Sequence, residues 1–540
     1  MRVALITEAA YPFRGGGASG WCHRLVSGLA GYDYRLVALT GPGERPVPAY
    51  RLPGNVSGLT AVPVRGAPAT PHGRLARHRT RRAATRAAVL LCRGLLGNQP
   101  PHAAQFRAGL LGLAAVAAGG AHPLAGTPLA DVLADAWRVA GGPAGRLSLR
   151  DAESAAILLE HAVRPLAVAA PPVDVCHPAS GGLPLLVALA AKWRAGIPYL
   201  LTEQGIYLRE RYLDYGEAWP GPVKEVMLGF FRALSALGYA EAATVVAATR
   251  FDQRWQLRHG AHPAKVVVVP GGVDPAAFPA RPPDPEAGPV VAWLGRIEPL
   301  KDLHTLIRGF RRVHQELPAA RLRLVGPTAD AGYEASCRAL VRRLGLGRCV
   351  IFAGPTASPA GSYAAAAVVA RSSISEGMPY PVLEAMMTGR ATVSTDVGGV
   401  AELVGDTGLV VPPGDPAALA TGLLALLRDP DRRRSLGQAA ARRARGHFTL
   451  DRMLRAHHQL YVDVAPAPLR RSWSSLERAE EVGGVPPGEP CDNAMIDAAR
   501  RPASGVTSAG VGAGTGAGTG AGIGVVTGTG AGAGRPDRAG

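Results

Sequence analysis

Residues 372–399 read SSISEGMPYPVLEAMMTGRATVSTDVGG. The run that leads into them, Val368 to Ile374, is strand-like but interrupted by Arg371 and two serines. Glu376, Gly377, Met378 and Pro379 follow as a turn. A helix is predicted from Pro381 to Thr388, since proline in a first turn lacks only an N–H that would be unpaired anyway. Gly389 suits the helix end, and Ala391 to Thr395 reads as the next strand. Strand, turn, helix and strand in this order build a parallel sheet flanked by helices.

Two carboxylates lie in this unit, Glu376 on the turn and Glu384 on the helix. The helix N-terminus between them offers unpaired N–H groups and a partial positive charge, which suits a diphosphate. A carboxylate at either end could accept hydrogen bonds from hydroxyls, as a sugar nucleotide would require. Spacing alone leaves open a plain turn residue and a plain surface-helix residue.

Upstream, the linker Asp284–Gly288 precedes a strand, Val290 to Leu294, and then GRIEPLKD (Gly295 to Asp302). Arg296 and Lys301 at a strand end could neutralise charge growing on a departing diphosphate. An ordinary surface pair is the alternative reading. Strands and helices alternate from there to a final amphipathic helix, Thr449 to Val464. In the first half, Val3 to Ile6 is a strand followed by the glycine-rich turn EAAYPFRGGGASGW (Glu8 to Trp21) and a helix. That geometry brings backbone N–H groups near a phosphate, although a bare glycine cluster is weak evidence. Residues 41–170 read as a helical insertion with no catalytic constellation. Alternation returns at Val173.

The central segment resembles the donor-binding motif of family 4 retaining glycosyltransferases, an E-x7-E signature in the form SEG-x-P-x4-E-A-M. The likeness extends to DVGG (Asp396 to Gly399), GLVVPPGD (Gly408 to Asp415) and the G-R-x4-K-D loop. The first half resembles the subfamily typified by the Pel exopolysaccharide glycosyltransferase. The residues that carry this are Glu8, Tyr11, Pro12, Gly16, Gly17, Ser19 and Trp21, a D-V-x-H strand end at His177, and TEQGIYLRER from Thr202. Together the matches span roughly residues 1–40 and 173–464. Gln204 stands where that subfamily usually has His, and Gly271 where a P-N-G turn is usual.

The resemblance implies a GT-B fold, two Rossmann-like domains facing across a cleft. The expected boundaries are 1–283 for an acceptor-side domain, 289–445 for a nucleotide-sugar domain and 446–465 for a helix crossing back. It implies transfer of a hexose from a nucleotide-diphosphate sugar, by analogy UDP-glucose, to a saccharide acceptor, with retained configuration and no metal or cofactor. Arg296, Lys301 and the N–H groups beyond Glu376 would stabilise the leaving diphosphate. Glu376 would hold donor hydroxyls and Glu384 the ribose, and His177 would contact the transferred sugar. Gly16, Gly17, Gly295, Gly377, Met378 and Pro379 would shape the donor site. A second reading is a catalytically weak scaffold subunit of an exopolysaccharide assembly complex, favoured by Gln204 and opposed by the four intact charged residues.

Composition sets the outer limits. The chain has 540 residues, room for two or three domains. Its net charge of +18 calls for an anionic partner or for arginine-rich solvated faces. Clusters at Arg74–Arg82 and Arg432–Arg445 would allow a peripheral membrane contact. Nucleic acid is excluded as a partner because aromatic interleaving, zinc spacing and a recognition helix are all missing. Six scattered cysteines without C-x-x-C, and an N-terminus without a signal-peptide pattern, lead to an expected cytoplasmic location at most peripheral to the inner membrane face. The glycine- and alanine-rich stretch within 466–540 is predicted to be disordered.

Overall fold

A computed structural model describes residues 1–466, except 42–46, 66–73, 98, 119, 121, 125, 143–144, 170, 216–218 and 282–287, together with the backbone alone of 74–78. The tail from residue 467, Cys491 and most of the expected linker lie outside the described residues.

Seven strands form the first sheet: β1 (Arg2–Glu8), β2 (Asp33–Thr40), β3 (Val56–Pro63), β4 (Val175–Pro178), β5 (Leu200–Glu203), β6 (Thr244–Ala247) and β7 (Val266–Val268). The ladders run β3-β2-β1-β4 and β5-β6-β7, all parallel. A parallel bridge between Cys176 and Tyr199 joins them, with the Cys176 N–H donating to the Pro198 carbonyl at 3.0 Å. The second sheet is β8 (Val290–Leu294), β9 (Arg321–Val325), β10 (Val350–Gly354), β11 (Val368–Arg371), β12 (Ala391–Thr395) and β13 (Leu409–Val411). Its order is β10-β9-β8-β11-β12-β13, again wholly parallel.

Both sheets are sandwiched by helices, so their central strands are apolar on both faces rather than alternating. All residues of β12 are buried. The helix Leu303–Glu316 shows the matching helical logic: Leu303, Leu306, Ile307, Phe310 and Val313 repeat at three and four residues and are all buried. Its N-cap, Asp302, accepts from the Thr305 N–H at 3.2 Å. That cap ends the loop after β8 and fixes Lys301 beside it. Each sheet reverses its strand order between β1 and β4 or between β8 and β11. In such sheets the crevice for a ligand opens beyond the C-terminal strand ends at the reversal.

The stretch 41–170 is not helical throughout. It begins with β3, which pairs with β2 from Tyr34–Val56 to Thr40–Pro63. β3 is an edge strand, half exposed, with a glycine inside and a proline at its end; edge position is where both are tolerated. Helices Arg74–Leu95, Pro100–Ala117, Leu129–Val139 and Leu149–Val163 follow. The helix Leu450–Val464 returns to the first half, where Val273 bridges to Thr449. One hydrophobic core spans both halves, with Tyr11, Trp21 and Val175 of the first meeting Tyr380, Leu383 and Met386 of the second. Cys22, Cys92, Cys176, Cys337 and Cys349 are buried free thiols.

Candidate active site

The loops after β8, β11 and β12 converge. The Ile374 N–H donates to the Leu300 carbonyl at 2.9 Å, and Ser372 Oγ to the Lys301 carbonyl at 2.8 Å. Thr395 Oγ1 donates to the Ser373 carbonyl at 2.7 Å, and the Gly399 N–H to the Gly377 carbonyl at 3.0 Å. At their meeting point Glu376 Oε1 accepts from Lys301 Nζ at 3.1 Å, Ser373 Oγ at 2.6 Å and Arg371 Nε at 2.9 Å, with Arg371 Nη2 also paired to it. Burial alone would raise this carboxyl's pKa. Arg371 and Lys301 outweigh burial and hold it at about 2. Glu376 is therefore a fixed anion at neutral pH.

Lys301 also approaches Glu298 at 3.8 Å, and Glu298 pairs with Arg296 at 3.0 Å. Lys301 and Glu376 thus meet directly, while Arg296 joins them only through Glu298 and keeps a half-exposed guanidinium. Arg371, missed as a site residue, is almost wholly buried. It stacks near Trp293 and donates to the Leu294 carbonyl at 2.8 Å. A lone cation in an apolar strand was the signal that could have found it.

The helix after the turn runs Tyr380–Met387 with Pro379 at its N-cap. Pro379 and Pro381 have no N–H to offer. Among the described residues the Gly377 and Met378 amides have no acceptor. These are the donors an anion at a helix N-terminus would use. Glu384, on the helix, accepts from the buried Tyr363 hydroxyl at 2.9 Å. Burial raises its pKa, and Tyr363, Arg24 and Arg371 only partly offset that. At Gly295 there is no room for a side chain: a Cβ there would meet Arg371 Nη1 at 2.8 Å.

The opposing face comes from the first sheet. A Cβ on Gly377 would stand 2.0 Å from the Gln204 carbonyl oxygen, just beyond β5. The Gly271 N–H donates to Met378 Sδ at 3.0 Å, and a Cβ on Gly271 would stand 2.3 Å from the Tyr380 hydroxyl. Glycine in place of the usual asparagine is what lets Tyr380 sit there. Arg24 lies over the Tyr380 ring at 4.4 Å, and Arg209 pairs with Ser375 Oγ. Gly17 stands 3.6 Å from Tyr380 by the position of its missing Cβ, whereas Gly16, at φ 150°, has open space around it.

Glu210 reaches back to Gly205, where a Cβ would lie 3.0 Å from its Oε1 and 3.8 Å from Gly377 Cα. Burial pushes the Glu210 carboxyl up to about 7; Asp214 and Glu203 add to this, and Arg211 and Lys301 oppose it. The Gln204 side-chain amide is buried without a hydrogen-bond partner. His177 is not at the cleft surface. It is fully buried, with Nδ1 at 2.6 Å from the Tyr461 hydroxyl and Nε2 at 2.8 Å from Thr202 Oγ1. Burial and the neighbouring His457 keep it far below its ordinary pKa and neutral.

Among the described residues no group of three or more His, Cys, Asp or Glu is placed to hold a metal ion, and no helix is long and apolar enough to cross a membrane.

The family model described as glycosyl transferases group 1 matches residues 288–429, and a domain of unknown function (DUF3492) matches residues 1–264. The D-inositol 3-phosphate glycosyltransferase of Kineococcus radiotolerans is 37% identical over 244 residues, 40% of this chain and 56% of that protein. The chain therefore spans little more than half the length of that curated relative. The enzyme of the same name from Salinispora tropica is 32% identical over 359 residues, 60% of this chain and 72% of that protein. The crystal structure of Anabaena HepE in complex with UDP-glucose superposes with a TM-score of 0.54 at 16% identity, covering 86% of this chain and 100% of that one. That likeness is one of fold, and it identifies the two facing parallel sheets as GT-B. Kinship over nearly three-quarters of a relative's length, with the group 1 model falling on the half that holds Lys301, Glu376 and Glu384, makes this chain a member of the group 1 glycosyltransferases.

Proposed function

We propose that the chain transfers a hexose from a nucleotide-diphosphate sugar, with glucose from UDP-glucose as the donor, to a saccharide acceptor in exopolysaccharide assembly on the cytoplasmic side. Residues 1–283 form the acceptor side, residues 289–445 bind the donor, and the helix to residue 465 ties the two together. One observation carries the reading: Glu376 is locked as an anion by Lys301 and Arg371 beside the two free amides of Gly377 and Met378. A fixed carboxylate suits sugar hydroxyls, and free amides with a cation suit a diphosphate.

In this reading the bond from the donor's anomeric carbon to the diphosphate oxygen breaks and the acceptor oxygen bonds to that carbon on the same face. The acceptor proton leaves with the departing phosphate. Lys301 and the Gly377 and Met378 amides stabilise the charge that develops. Arg296 exchanges Glu298 for the diphosphate when the donor binds. Glu384, held by Tyr363, takes the ribose hydroxyls, and Gly16 and Gly17 leave room at the cleft mouth. His177, with both ring nitrogens bonded to protein, ties the helix Leu450–Val464 to the first sheet and acts by position.

The test is binding and hydrolysis of UDP-, GDP- and ADP-sugars by the wild type, Glu384→Ala and Lys301→Ala. The reading expects one donor to bind and both variants to lose it. An acceptor panel would include D-inositol 3-phosphate alongside oligosaccharides, because the relatives' name raises it. A folded wild type that binds no nucleotide sugar would move the assignment to a scaffold subunit of an assembly complex.

A further inference from the structure

Outside the cleft, one long stretch of the chain is basic with no acidic residue of its own. No aspartate or glutamate lies between Glu44 and Asp131, while arginines recur throughout that stretch. Two of its helices, Arg74–Leu95 and Pro100–Ala117, form an antiparallel hairpin. Their backbones nearly touch: a Cβ on Gly109 would stand 2.5 Å from the Leu91 nitrogen, and one on Gly94 2.3 Å from the Phe106 nitrogen. The inner face of the hairpin, with Leu91, Leu95, Phe106, Leu110 and Leu113, is buried in the core of the first half.

The outer face is of two kinds. On the first helix Arg79, Arg81, Arg82 and Arg86 are exposed, and among the described residues none of them makes an ion pair or a side-chain hydrogen bond. On the second helix the exposed positions Ala104, Ala108, Leu111 and Ala115 carry no polar side chain, and the exposed Arg107 among them is already paired with Glu241 at 2.7 Å. A shallow hollow between the helices is edged by Arg79 and Arg86 and floored by Leu90, Ala108 and Val116. The other basic cluster behaves differently. Arg433 donates to the Leu426 carbonyl at 2.9 Å, Arg443 to Leu403 at 2.9 Å and Arg445 to Met387 at 2.8 Å, while Arg434 pairs with Asp431 at 2.9 Å. Arg433, Arg443 and Arg445 thus finish helix ends inside the protein, Arg434 makes an exposed pair on its own helix, and Arg432 and Arg442 stay exposed beside them. The hairpin arginines have no such duty.

Unpaired cations beside a largely apolar face match a surface that is anionic above and hydrocarbon below. We propose that the outer face of this hairpin docks on an anionic lipid bilayer. Arg79, Arg81, Arg82 and Arg86 lie against lipid phosphates, and Leu111 with its alanine neighbours sinks to the headgroup boundary. A soluble polyanion or nucleic acid would use the arginines but gain nothing from the apolar face, so the bilayer explains both halves of the surface. Neither helix is long and apolar enough to span, so the hairpin lies on the membrane. The docking is independent of the transfer chemistry and holds or fails apart from it.

The test uses the full chain and sedimentation with vesicles of phosphatidylcholine alone or with about a third phosphatidylglycerol. The wild type is expected to bind the anionic vesicles only, and less as salt rises. Replacing all four arginines by serine should lower partitioning by more than about a hundredfold, taking the usual contribution of each cation near an anionic surface. Leu111→Asn should lower it several-fold while leaving retention on a heparin column unchanged. All five positions are exposed, so thermal melting should match the wild type, and an Arg81→Ser/Arg82→Ser pair gives an intermediate loss. Equal binding to neutral vesicles, unaltered binding by the four-serine variant, or heparin retention with no vesicle binding would each overturn the proposal.

Discussion

Gly377 and Gln204 meet backbone to backbone, with the space for a Cβ on Gly377 ending 2.0 Å from the Gln204 carbonyl oxygen. No side chain fits there unless the two halves of the molecule part. The same built Cβ would lie 2.8 Å from Gly205 Cα, so the whole turn after β5 closes on this glycine. A side chain at this glycine would therefore strain the contact between the two halves at the candidate site.

Gly377→Ala should report that strain. Overpacking of this kind costs on the order of 1–3 kcal/mol. Spent on holding the halves apart, it would reduce the closed population by roughly tenfold to a hundredfold. We expect kcat/KM with a nucleotide sugar to fall by that factor while the urea midpoint moves little. Small-angle scattering should record a larger radius for the variant. A variant as active and as compact as the wild type would refute the steric argument.

The Arg371–Glu376 pair should dominate acid sensitivity. Glu376 is held at about 2, below its unfolded value near 4.3. The stability it contributes is fully present above that unfolded value and is lost as pH falls toward 2. The difference corresponds to about 3 kcal/mol at neutral pH. Arg371→Leu removes the largest opposing charge and leaves a buried carboxylate with Lys301 alone, a loss of about 3 kcal/mol or more. Urea titrations at pH 7 and pH 3 should show the variant weakened at pH 7 and the gap to the wild type reduced to about half at pH 3. Equal stability at pH 7 would mean that Lys301 and Ser373 suffice.

Much of this was legible in the sequence, for reasons that differ by element. The strands Val290–Leu294, Arg321–Val325 and Ala391–Thr395 are short, β-branched or alternating, and each is followed within a few residues by glycine, so their ends could be read directly. β3 could not, because its half-exposed edge position leaves no clean hydrophobic pattern. At the site, Lys301, Glu376 and Glu384 were found through spacing and family likeness. Arg371, Glu298, Tyr363 and Glu210 were not: Arg371 is hidden in a strand, Tyr363 owes its place to Glu384 on another element, and Glu298 and Glu210 look like ordinary loop and helix carboxylates until their burial is seen. His177 was read as a cleft residue from its place at the end of β4. Only the packing of the helix Leu450–Val464, 284 residues on, reveals that Tyr461 covers it.

Glu210 offers a test with the opposite sign from Glu376. Its carboxyl is raised to about 7 in the fold against an unfolded value near 4.3. Below the unfolded value it costs nothing. As pH rises through the interval its ionisation destabilises the fold, and above 7 the full cost remains. Allowing for its partial exposure, that cost is about 2 kcal/mol. Glu210→Gln should therefore be more stable than the wild type at pH 8 and equal to it at pH 4. The same variant should bind a nucleotide diphosphate more tightly at pH 8, since one negative charge behind Gly205 is gone. A stability difference that does not vary with pH would sink the account.

His177→Asn separates a positioning role from a chemical one. The imidazole bonds Tyr461 through Nδ1 and Thr202 through Nε2, and it is packed edge-on against Trp21. Asparagine cannot span both partners, so at least one buried hydroxyl loses its bond, at a cost of about 1–3 kcal/mol. The ring is neutral in the fold because its pKa lies well below the ordinary value. Its contribution to stability is thus present above pH 6.5 and declines as pH falls below that, when the unfolded chain binds the proton. The variant should lose stability mostly above pH 6.5 and less in acid. Its activity should drop through looser packing of the helix Leu450–Val464, with the shape of the kcat/KM profile between pH 6 and 9 unchanged. Loss of one limb of that profile would instead make His177 a group that exchanges protons during transfer, and would require the Tyr461 contact to open in the working enzyme.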